Sequence, residues 1–135
     1  MNQMLPMGMT ALLLCAASAS ADWKPVGENG DAVVYADSAT ISRSGNTAKL
    51  WHVNDLKAER TTLVTMSAGE SYLSTKVRQE YDCRAQKVRV LAFAAHSHKM
   101  GGGKVVLSDN EASPWAAVSS DPITIALFKI ACTTT

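Results

Sequence analysis

From residue 72 to residue 83 the chain alternates with a period of two. Leu73, Thr75, Val77, Gln79, Tyr81 and Cys83 share one face, and Ser74, Lys76, Arg78, Glu80 and Asp82 share the other. A helix would scatter these two sets around its axis, whereas a strand sends alternate side chains to opposite faces. The segment therefore predicts a strand with one wet face and one more apolar face, and Cys83 lies on the apolar one.

The rest of the chain supplies partners for that strand. Residues 23–26 form a short leading segment, and 27–31 (Gly27-Glu28-Asn29-Gly30-Asp31) is a turn cluster. Residues 32–36 read as a short strand, followed by 39–42. Ser44-Gly45-Asn46 then gives hairpin turn chemistry, and 47–56 is the return strand. On that strand Trp51 and Val53 share one face, and Leu50 and His52 the other. Residues 57–60 (Lys57-Ala58-Glu59-Arg60) read as a charged loop and 61–66 as a short edge segment. Another strand is expected over 87–97. The turn Gly101-Gly102-Gly103 leads into a last one over 104–109.

The end of the chain changes character. Asp121 is a good helix N-cap and Pro122 suits the first helical position. Ile123, Leu127 and Ile130 then recur at helical spacing, which predicts a helix over 122–132 that ends at Cys132. The connections between strands are short, so pairing is antiparallel. The expected class is α+β, a small antiparallel sheet with a C-terminal helix packed on one face and tied there by a disulfide. The competing architecture is a two-sheet sandwich without a helix.

The first 21 residues carry no charged side chain and are rich in Leu, Met and Ala. They end in Ala19-Ser20-Ala21, small residues at the positions that signal peptidase reads. Residues 1–21 are therefore expected to be a signal peptide cut between Ala21 and Asp22, leaving 22–135 as one domain. Pro6 and Gly8 interrupt the apolar run, which is too short to span a bilayer as a stable helix. Cys15 raises lipidation as an alternative, but bulky Leu14 stands where a small residue is wanted before an acylated cysteine. The 13 basic and 12 acidic residues leave a net charge of +1, too small a field to point to nucleic acid or anionic lipid.

Beyond the leader, Cys83 and Cys132 remain. In an oxidising compartment a lone pair of cysteines is most simply a disulfide, with a redox pair or two metal ligands as the alternatives. The bridge would close a loop of about 50 residues and contribute on the order of 4 kcal/mol.

Several segments, taken in order, resemble the surface-adhesin protein E family of Gram-negative bacteria. They are Trp23, Val34-Tyr35-Ala36-Asp37, Ile41-Ser42-Arg43-Ser44-Gly45 and Leu50-Trp51-His52-Val53-Asn54-Asp55. Further along come Glu80-Tyr81-Asp82-Cys83, Arg89-Val90-Leu91, Met100-Gly101 and Gly103-Lys104-Val105-Val106. Trp115-Ala116-Ala117-Val118 and Ile130-Ala131-Cys132 complete the series. The resemblance implies a small antiparallel sheet with a C-terminal helix bound to it by a disulfide. It also implies an envelope or cell-surface location in periplasm or outer membrane, and a protein partner, with host extracellular proteins as the family's targets.

Other chemistry is thin. His96 and His98 stand two apart on an expected strand, so they are candidate ligands for a metal or haem, with Met100 as a soft neighbour and His52 as a third ligand if its strand lies alongside. The competing reading makes both solvated residues at a strand end. No Gly-x-Ser-x-Gly elbow or metalloprotease His-Glu motif is present, so a non-enzymatic protein with no resident cofactor or metal is expected. Lys76 and Arg78, with Lys87 and Arg89, would form a basic patch if their strands pair, balanced by Glu80 and Asp82. An exposed sheet edge could add a strand from another chain, a route to a homodimer or to peptide capture. A periplasmic accessory role, as an enzyme inhibitor or a small-ligand or haem carrier, is the alternative function.

Overall fold

The alternating segment becomes the centre of a meander. The computed structural model describes residues 21–62 and 69–133, so nearly all of the leader, Cys15 and residues 63–66 of the expected edge segment lie outside the described residues. The strands are β1 (Lys24–Glu28), β2 (Ala32–Ser44), β3 (Thr47–Thr61), β4 (Ser71–Asp82), β5 (Lys87–His96), β6 (Val105–Asp109) and β7 (Ala116–Ala117). They form one sheet in the order β1-β2-β3-β4-β5-β6, with β7 also pairing β5. Every pairing is antiparallel. Among the described residues the single α-helix, α1, runs Pro122–Thr133. The α+β class and the C-terminal helix are as the sequence predicts, and the two-sheet sandwich is not formed.

Local chemistry explains the strand ends. Asn29 Oδ1 accepts from the amides of Asp31 and Ala32, which closes the β1–β2 turn. Only residues 29–31 turn, since Gly27 and Glu28 belong to β1. Residues 32–36 and 39–42 join in one long β2 that bulges between Asp37 and Ser42. The Asp37 side chain holds the bulge by accepting from Ala39 N at 3.0 Å, while Thr40 Oγ1 donates to Asp37 O at 2.6 Å and accepts from Trp51 N at 3.1 Å. The expected charged loop at 57–60 is instead the far end of β3. Its charges are used along the strand, with Lys57 pairing Glu28 at 2.9 Å and Arg60 facing Asp31 at 3.8 Å.

The core lies between one sheet face and α1. Val34, Ala36, Ala48, Leu50 and Tyr81 meet Leu127 and Ala131 there, with Val26, Ile41, Ile123 and Phe128 packed around them. Tyr81 meets Phe128 edge-on, with ring centroids 6.0 Å apart. Asp121 Oδ2 accepts from Thr124 N at 3.0 Å, the N-cap that the sequence anticipates. Cys83 at the end of β4 and Cys132 at the end of α1 are bonded, with Cα atoms 5.6 Å apart. Arg43 reinforces this corner by donating to Cys132 O at 2.7 Å.

The second face of β4 departs from expectation. Ser74 and Glu80 are buried, although the alternation predicts a wet face. Two segments distant in sequence cover it. The loop after β5, which includes a 3-10 turn at Lys99–Gly101, folds back over Asp55 and Ser74. The segment before β7 brings Ser113 to the edge of β5, where its amide donates to Val90 O at 2.8 Å.

Candidate functional site

Register separates the sequence-selected side chains into two groups. His52 pairs across to Val77 and to Ala36, so it faces the helix side. His96 pairs with Ser74 and faces the other side. His52 is buried with Nδ1 unpaired, and burial pushes its imidazole down to about 4. It is therefore neutral at physiological pH.

The strand expected to carry both His96 and His98 stops at His96. His96 is buried beneath the loop, and His98 is exposed after the chain bends away. Burial lowers the His96 pKa, and Lys76 lowers it further, against the opposing effect of a Gly102 backbone hydrogen bond. The structure thus divides the three histidines between two faces and a loop. Among the described residues no three His, Cys, Asp or Glu side chains are placed to hold a metal.

The second face is organised by charge and hydrogen bonding. Arg89 Nε and Nη2 both reach Glu80 Oε1, at 2.7 and 2.6 Å, and the guanidinium lies 4.5 Å from the Trp115 ring centre. Lys76 Nζ lies 5.3 Å from the centre of the Trp51 ring. Lys87 stands opposite Asp82. The four basic residues do share a face, but acids and aromatic rings divide them, so they make no continuous basic patch.

Toward β6 the covering loop is pinned at several points. Met100 N donates to Asp55 Oδ1 at 2.9 Å, Lys99 Nζ pairs with Asp55 at 3.2 Å, and Ser74 Oγ donates to His98 O at 2.6 Å while accepting from Gly101 N at 2.8 Å. Gly101 has φ +71°, a conformation that favours glycine, and a Cβ there would sit 2.8 Å from Lys76 Cδ, so the Lys76 side chain would have to shift. These polar residues serve to hold a loop in place.

The helix covers only part of its sheet face. The remainder is an open groove of about 340 Å³, lined by Asn54, Leu56, Arg60, Tyr72, Thr75 and Phe93 among others. Asn54 Nδ2 donates to Thr75 Oγ1 at 3.0 Å. The Asn54 carbonyl, the Tyr72 phenol and the Arg60 guanidinium give this groove acceptors and donors above the apolar Leu56 and Phe93. Sequence reading did not single it out, because its residues come from four strands and the β1–β2 turn, whose alignment only the register supplies. A further open feature is the edge formed by β6, where Val105 and Leu107 are 53% and 50% exposed.

The described residues thus form a sheet clamped by a disulfide-bound terminal helix, with a groove and a strand edge among its open surfaces. The family model for surface-adhesin protein E matches residues 23–133, and the chain belongs to that family. By whole-sequence comparison no curated protein matches it. Solved structures of Haemophilus influenzae protein E share the fold at 13% identity. One aligns over 82% of this chain and 83% of its own with a TM-score of 0.62. A second crystal form aligns over 82% and 87% with a TM-score of 0.63. Protein E from a non-typeable strain aligns over 82% and 75% at 0.61. Among the described residues no helix is long and apolar enough to cross a membrane.

Proposed function

We propose that this chain is exported, cut between Ala21 and Asp22, and acts in the cell envelope as a non-enzymatic adhesin that binds host extracellular protein. The observation that carries this reading is the family match over nearly the whole of residues 22–135. Two features support export: the uncharged Leu- and Ala-rich leader ending in Ala19-Ser20-Ala21, and the Cys83–Cys132 bond, which suits an oxidising compartment. The β6 edge is where a second copy would pair to form a homodimer. Deleting the gene should lower adhesion of intact cells to surfaces coated with extracellular-matrix protein, and re-expression should restore it. Unchanged adhesion to a panel of such proteins would remove the adhesin role.

The groove beside α1 favours a second reading, a periplasmic accessory module that carries a small ligand or inhibits an enzyme. Titration of the purified protein with haem or with periplasmic extract should then shift the amide resonances of Asn54, Tyr72 and Thr75. Unshifted resonances there would dismiss the carrier role.

A further inference from the structure

We propose that leader removal converts the new N-terminus into a structural ion, in which the α-ammonium of Asp22 locks onto the buried carboxylate of Asp37. This rests on the cleavage site proposed above. Asp22 N lies 3.1 Å from Asp37 Oδ2, while Asp37 Oδ1 is taken by Ala39 N at 3.0 Å. Asp37 is only 6% exposed. Among the described residues no Lys, Arg or His side chain comes within ion-pair distance of it. The nearby cation, Lys76, is directed over the Trp51 ring. Lys24 is 4.0 Å from the side-chain carboxylate of Asp22 itself. Ala21, Trp23, Thr40 and Trp51 wall the hollow around the contact.

In the uncut chain the nitrogen facing Asp37 is a neutral amide with one proton. Hydrolysis of the Ala21–Asp22 bond adds one water across it. Ala21 leaves with the new carboxylate, and the Asp22 amine takes up a proton to become an ammonium with three donors. An α-amine of ordinary basicity is mostly protonated at neutral pH. A buried carboxylate without a cation is costly, and the ammonium adds an opposite charge to the hydrogen bond that the amide already gives it. Cleavage therefore tightens the fold where the β2 bulge begins. A cut one residue upstream, or acylation of the amine, leaves an amide at this contact and loses the charge. The maturation site and the fold are matched to each other.

The test compares two forms of the protein, one beginning at Asp22 and one beginning at Ser20, each released from a removable fusion. At neutral pH the Asp22 form should melt higher by roughly 5 °C. Asp37→Asn should abolish that difference. Equal melting temperatures, or a difference that survives Asp37→Asn, overturn the proposal. Should Asp37→Asn fail to fold, acylation of the α-amine by a small active ester decides the matter. It should run about tenfold slower in native than in urea-unfolded Asp22 protein, and equal rates would overturn the lock. The N-terminal mass of protein recovered from cells tests the cleavage site separately, since the melting comparison does not depend on where the cell cuts.

Discussion

Lowering the pH from 8 to 5 should cost this fold about 2 kcal/mol through His52 alone. Its ring lies on the helix side of β3, flanked across the sheet by Ala36 and Val77, with Nδ1 unpaired. Burial lowers its pKa from 6.5 to about 4. The unfolded chain therefore binds a proton near pH 6.5 that the folded chain refuses until pH 4. Stability is fully present above the unfolded pKa and is lost as the pH falls toward the folded one. The full loss, reached below pH 4, is about 3 kcal/mol. Urea unfolding followed by circular dichroism at pH 8 and pH 5 measures the effect, with His52→Gln as the variant that cannot titrate. The variant starts from a lower stability, but its loss between the two pH values should be smaller than the wild-type loss by about 2 kcal/mol. Equal losses in the two proteins would refute the reasoning, because the pH dependence would then come from other groups.

Three further outcomes follow from named contacts. Replacing Cys83 and Cys132 with Ala should lower stability by about 4 kcal/mol, read from denaturant midpoints, since their bond closes a loop with a sequence separation of 49. Gly101→Ala should cost about 1–3 kcal/mol, because the residue sits at φ +71° against Lys76; a nuclear magnetic resonance spectrum should place the largest shifts in the 97–104 loop. Glu80→Gln should cost about 1–2 kcal/mol and alter Trp115 fluorescence, since Arg89 is held against that ring by the Glu80 carboxylate.

The elements legible in the sequence were those set by local rules. The alternation around Tyr81 marked β4, and Asp121 with Pro122 marked the start of α1. Leu50 and His52 were also placed on one face, and both proved buried. What escaped depends on contacts between distant residues. The charges of residues 57–60 suggest a loop until Glu28 and Asp31 arrive from the neighbouring hairpin to pair with Lys57 and Arg60. Ser74 and Glu80 look solvated until the Met100 loop and the Trp115 segment fold back across β4. The groove needs Asn54, Tyr72 and Phe93 aligned from three strands, and the split of His52 from His96 needs the register of β3, β4 and β5. None of these alignments is written in a single segment.

Protease treatment of intact cells, followed by immunodetection of this chain, tests the central claim most directly. A surface adhesin should be degraded while a periplasmic marker in the same cells survives. Survival of the chain alongside that marker, with degradation only after the outer membrane is opened, would contradict the account and leave the protein in the periplasm.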